Sequence, residues 1–117
     1  MTAFFDGHPR GAAVAAAVAH AIGDLGPHTV RSTRSQVAFR RRRGFAYLWR
    51  PGQYVASDVP AVLSIALPRE VASPRWKQVA HPEPHTWMHH LELTLPDEVD
   101  PQVRAWLAEA YDAAGRR

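Results

Sequence analysis

Four consecutive arginines, Arg40 to Arg43, held between Phe39 and Gly44-Phe45, constrain this chain more than any other stretch. Adjacent guanidiniums stay charged at any physiological pH and repel one another. A stable fold must leave them in water or supply an anionic partner. The flanking pattern says where they fall. Val37 and Phe39 share one side of Gln36–Arg41, while Phe45, Tyr47 and Trp49 alternate with Ala46 and Leu48. Both runs have the two-residue period of a strand. The spacing predicts a hairpin turning near Arg42-Arg43-Gly44, with Gly44 at a positive-φ position of a bulged turn. The arginine run then forms the exposed tip of that hairpin.

The net charge of +3 conceals how local this feature is. Residues 31–50 carry seven arginines and no acid, whereas residues 81–117 carry seven acids against three arginines. The basic character belongs to one patch, and it bears on partners rather than on fold. Arginine and alanine abound beside a single lysine, a bias that a GC-rich coding sequence produces without functional demand. The absence of cysteine excludes disulfides and thiolate metal sites, so an apolar core must hold the 117 residues together. A cytoplasmic location is the expectation. No apolar stretch approaches the roughly 20 residues that span a bilayer, and no membrane association is expected. The alanine-rich stretch Gly11–Ile22 follows Asp6 and a lone Arg10 without a cleavage site, so it reads as a helix rather than a signal peptide.

The rest of the chain divides by period. Val14, Val18, Ile22 and Leu25 recur at helical spacing between Pro9 and the stop signal Gly26-Pro27. Ala61–Leu67 is short and almost continuously apolar, as a central strand buried on both faces would be. Arg75–Val79 reads as a short edge strand, His81–Pro84 as a loop, and Trp87–Leu95 as a further alternating strand. Asp100 and Pro101 suit the cap and first position of a closing helix with Val103, Trp106, Leu107, Ala110 and Tyr111 on its apolar face. Helix, about five strands, helix indicates a single α+β domain over residues 1–117, an antiparallel sheet with both helices on one face.

Several motifs keep a recognisable order: Phe4-Phe5-Asp6-Gly7-His8-Pro9, the stretch Val37–Ala46, and Leu67-Pro68-Arg69-Glu70 followed by Ser73-Pro74-Arg75. Trp87-Met88-His89-His90-Leu91-Glu92-Leu93 and Trp106-Leu107-Ala108-Glu109-Ala110-Tyr111 complete the set. In these the chain resembles, over nearly its whole length, the small bacterial domain of unknown function 5655. The resemblance implies no activity, since none is established for that family, and the transport label of some longer members does not transfer. A more distant similarity runs to YdhG-like domains, some linked to frataxin-like iron handling on a helix–sheet–helix scaffold. That is analogy at the level of fold. Such iron donation relies on exposed acidic patches, and the prominent patch here is arginine.

Arg40, Arg41, Arg42 and Arg43 are the candidate anion-binding residues, because guanidinium forks match phosphate and carboxylate. Tyr47 and Trp49 on the neighbouring strand could stack on bases. No recognised nucleic-acid motif accompanies them, and a solvated tip that discourages edge-to-edge aggregation is favoured over nucleic-acid binding. Trp49, Tyr54, Trp76 and His89 are the candidates for a small-molecule pocket on the sheet, with core packing as the competing role. His81, His85, His89 and His90 lie close in sequence, but adjacent His89 and His90 in a strand point to opposite faces. With no cysteine or matching acidic spacing, no metal and no cofactor is expected. Ser35, Ser57, Ser64 and Ser73 lack a nucleophile-elbow context, and no catalytic residue is assigned. The reading is a non-enzymatic binding module that contacts an anionic macromolecule or ligand through the hairpin Phe39–Trp49. The alternatives are an aromatic-lined small-molecule pocket, with or without catalysis, and a self-associating domain forming a homodimer through Trp49 or Trp87.

Overall fold

Pro9 and Pro101 each stand in the first turn of a helix, where the missing N–H has no intrahelical partner to lose. In the computed structural model, which describes residues 2–116, a 3₁₀ turn over Thr2–Phe5 leads into α1 (Pro9–Gly23). Six strands follow: β1 (Thr29–Ser32), β2 (Val37–Arg40), β3 (Gly44–Trp49), β4 (Ala61–Leu67), β5 (Gln78–Glu83) and β6 (Thr86–Leu93). Helix α2 (Pro101–Gly115) closes the described chain. Asp100 caps α2 by accepting the Val103 N–H at 3.0 Å, and Arg75 grips both carboxylate oxygens at 2.9 and 3.0 Å. The Val103 amide, seconded by Arg75, holds the Asp100 carboxyl below its ordinary pKa.

The sheet is antiparallel throughout, in the order β1-β2-β3-β4-β6-β5. The apolar strand β4 lies between β3 and β6, as its composition requires. Val14, Val18 and Ile22 of α1 and Val103, Leu107 and Tyr111 of α2 join Val37, Phe39, Leu48, Leu63, Ile65 and Leu91 in one buried cluster. Both helices therefore cover one face. Alternation turns Ala38, Tyr47, Trp49, Ser64, Met88 and His90 to the opposite face.

Three expectations change. The sheet has six strands rather than about five, because the edge segments β1 and β5 both pair. His81-Pro82 lies within β5 instead of a loop; β5 is an edge strand whose register shifts between Ala80 and Glu83, a place that tolerates a residue without an N–H. Gly44 is not at a positive φ, which occurs at Gly7 and Gly26. It starts β3, and its missing side chain leaves the space that the Tyr47 hydroxyl occupies. Pairing passes from Phe39 opposite Ala46 to Arg40 opposite Gly44, so Phe45 is the extra residue of a bulge. The bulge re-aims Phe45 into the core, away from the face of Tyr47 and Trp49, and both Phe45 and Ala46 are fully buried.

Gly11 sets how closely α1 approaches the rest of the fold. A β-carbon there would stand 2.6 Å from the buried Phe5 ring and 3.0 Å from the Pro60 carbonyl oxygen. Alanine would favour the helix by about 1 kcal/mol over glycine but would overpack this contact by roughly 1–3 kcal/mol. Gly11→Ala is thus expected to lower the urea midpoint, with little change in far-ultraviolet circular dichroism.

Candidate functional site

The last carbonyls of a helix have no intrahelical donors and gather partial negative charge. In this chain the arginine hairpin meets that need. The Arg41 guanidinium donates to the Tyr111 carbonyl at 3.1 Å and lies over the Tyr111 ring, 4.0 Å from its centroid. Arg43 donates to the carbonyls of Ala113 and Arg116, the latter at 2.9 Å. The Arg42 backbone N–H reaches the Ala114 carbonyl at 3.2 Å. Tyr111 fastens the arrangement: Phe45 meets its ring edge-on at 5.5 Å, and its hydroxyl donates to the Pro27 carbonyl at 2.9 Å. The arginine tip is exposed, as its charge requires, and it also docks on the end of α2.

Docking closes one side of a cleft of about 630 Å³ at the end of the sheet. Its walls come from the hairpin, the end of β4, the β5–β6 turn and the end of α2. Arg40, Arg43, Arg116 and His85 line it, Glu83 is the single acid among the lining residues, and Tyr47, Ala66 and Met88 contribute apolar surface. Arg40 has no ion-pair or hydrogen-bond partner among the described residues, and neither does the Arg42 side chain. A second cleft of about 400 Å³ at the start of α1 places Arg10 and Arg50 beside Asp58, so its charge is more nearly balanced.

The four residues expected to share an aromatic pocket do not meet. Trp49 and Tyr54 are neighbours, with ring centroids 6.2 Å apart. Trp76 and His89 are neighbours at 4.8 Å, packed with Trp106 on the helix side of the sheet. Strand alternation separates the two pairs, since His89 and His90 project to opposite faces. Tyr47, expected with Trp49 to offer a stacking face, lines the cleft with Arg40, whereas Arg116 and Met88 are lining residues that spacing did not nominate. They carry no local signal, since α2 and β6 reach the cleft only through long-range packing.

The histidines diverge as well. His81 stacks on Trp87 at 4.0 Å, and His85 borders the cleft. Buried His89 donates from Nδ1 to the Trp87 carbonyl at 2.9 Å and accepts the Val71 N–H at Nε2, 3.0 Å away. A proton on Nε2 would confront that N–H, and burial lowers the His89 pKa. On the open face the Trp49 indole N–H donates to Ser64 Oγ at 2.9 Å, and Ser64 lies 2.7 Å from His90 Nδ1. Ser64 Oγ thus joins the Trp49 indole to the His90 ring. Ser64 is 3% exposed beneath these rings, so the trio positions Trp49 and offers no accessible nucleophile.

An antiparallel sheet with two helices on one face and an arginine-bordered cleft at its end defines a two-layer α+β domain. The chain belongs to the family described as Domain of unknown function (DUF5655), whose model matches residues 1–114. No curated protein and no solved structure matches the chain. No helix among the described residues is long and apolar enough to cross a membrane.

Two outcomes follow from these contacts. Arg43→Ala and Arg41→Ala are each expected to lower stability by about 1 kcal/mol in chemical denaturation, whereas Arg42→Ala should stay within about 0.5 kcal/mol. Burial also lowers the His90 pKa, so His89 and His90 both bind protons more weakly in the folded chain than at their ordinary value of 6.5. Stability from them is complete above pH 6.5 and is lost as pH falls toward their folded values. The slope reaches at most about 1.4 kcal/mol per pH unit for each group. Melts between pH 8 and pH 5 should show this decline, and His89→Gln should remove part of it. Asp100 and Glu109, held below their ordinary pKa values, add their own loss only in the more acidic carboxylate range.

Proposed function

We propose that this protein is a binding module for an anionic ligand, and that the cleft beneath the arginine hairpin is its recognition site. The supporting observation is the imbalance of charge at a concave surface: Arg40, Arg43 and Arg116 face one acid, Glu83, across about 630 Å³. Arg43 is already oriented by the α2 carbonyls, which spares a ligand the entropy of ordering it. Arg40 has no partner among the described residues and supplies a fork for phosphate or carboxylate. The apolar surface of Ala66 and Met88 lowers the local dielectric, so an anion bound between the guanidiniums is held more strongly than on open surface. In this reading the run divides its labour. Arg41 and Arg43 hold the hairpin, and Arg40 meets the ligand.

Titration with inorganic pyrophosphate, followed by amide nuclear magnetic resonance, tests this directly. Gly44, Thr86 and Ala114 amides should shift together, and Arg40→Ala should weaken binding about tenfold, a loss of roughly 1.4 kcal/mol. Arg42→Ala should leave binding unchanged. Shifts scattered over all basic residues, or equal losses from both substitutions, would show only diffuse attraction and sink the cleft as a site.

A further inference from the structure

Resting on the cleft as the anion site, we infer that the ligand is a single-stranded nucleic acid whose bases lie along the open face of the sheet. Directly paired residues of antiparallel strands share a face. Arg31 pairs with Ala38, Ala38 with Tyr47, Tyr47 with Ser64, Ser64 with His90 and His90 with Gln78. One row across the sheet therefore runs from a cation through an aromatic ring and a hydroxyl to an imidazole and an amide. Arg40 and Trp49 flank this row on the same face, Arg40 opening into the cleft.

The rings on this face are laid down rather than upright. The Trp49 indole is pinned across β4 by its bond to Ser64, and the Tyr47 ring folds back over Gly44. Small residues, Ala38 and Ala66, keep the surrounding surface low. Tyr54, 61% exposed, extends the aromatic surface from the loop beside Trp49. Side chains two positions apart on a strand are about 6.8 Å apart, so successive bases of an extended strand can each meet a ring. The Ser64 hydroxyl occupies His90 Nδ1, 2.7 Å away, and fixes the ring's orientation. His90 Nε2 has no partner among the described residues and can hydrogen-bond a base edge.

The charges agree with this ligand. Arg31 and Arg40 border the aromatic row, and neither has a partner among the described residues. Two acids share this face: Glu92 is tied to Lys77 at 3.4 Å, and Glu83, opposite Thr86, stands at the cleft end of the sheet. An acidic peptide would use the arginines and leave Tyr47, Trp49 and Tyr54 idle. A duplex conceals the base faces that those rings would stack against. A single strand uses both.

Fluorescence anisotropy with fluorescein-labelled rU12, dT12 and a 12-base-pair duplex tests the inference. The single strands are expected to bind more tightly than the duplex at equal salt, with affinity falling as salt rises. Tyr54→Ser and Tyr47→Leu should each weaken the single strands about tenfold, and Arg31→Ala should flatten the salt dependence by about one unit of slope. Should Tyr47→Leu fail to fold, exposed Tyr54 still decides the question. Binding of rU12 without dT12 supports the inference and adds recognition of the 2′-hydroxyl. Duplex binding as tight as that of the single strands, or wild-type affinity in Tyr54→Ser, overturns it. Loss of oligonucleotide binding with pyrophosphate still held in the cleft overturns this inference alone, whereas failure of both ligands removes the cleft reading too.

Discussion

The contact between the arginine hairpin and the end of α2 joins two liabilities so that each relieves the other. Adjacent guanidiniums need negative charge nearby, and the end of a helix presents carbonyls without donors. Arg41, Arg43 and the Arg42 backbone together serve the carbonyls of Tyr111, Ala113, Ala114 and Arg116. Tyr111 makes the joint rigid by meeting Phe45, Arg41 and the Pro27 carbonyl at once. The cleft follows from this docking, since the hairpin, β4, the β5–β6 turn and α2 would not otherwise enclose a common volume.

The two faces of the sheet are built to different ends. On the helix face, His89, Trp76 and Trp106 fill space, and the hydrogen bonds of His89 are used by backbone groups at both nitrogens. On the other face, Ser64 receives the Trp49 N–H and is hydrogen-bonded to His90 Nδ1, leaving partly exposed rings. A serine beside a histidine invites a catalytic interpretation. Burial beneath Trp49 argues for the humbler role of positioning.

Much of the architecture is legible in residue order. The helical period of Val14, Val18 and Ile22, the cap at Asp100 and the apolar run Ala61–Leu67 all carry their meaning locally, because periodicity and capping depend on near neighbours. The edge strands are less legible, since pairing at an edge depends on what lies beside it and Pro82 argues locally for a loop. The site is less legible still. Trp49, Tyr54, Trp76 and His89 look alike by composition, yet one-residue differences in strand position divide them between faces. Phe45 defeats alternation because a bulge, invisible in a two-residue period, turns it inward.

The sequence by itself determined an α+β domain with a concentrated basic hairpin, because segment periods and local charge are properties of adjacent residues. Only the tertiary structure decided what each arginine does. Arg41 and Arg43 find helix carbonyls seventy or more residues away, while Arg40, without a partner among the described residues, lines a cleft. Side chains with the same chemistry at successive positions differ in their partners because backbone alternation and long-range packing send each one in a different direction.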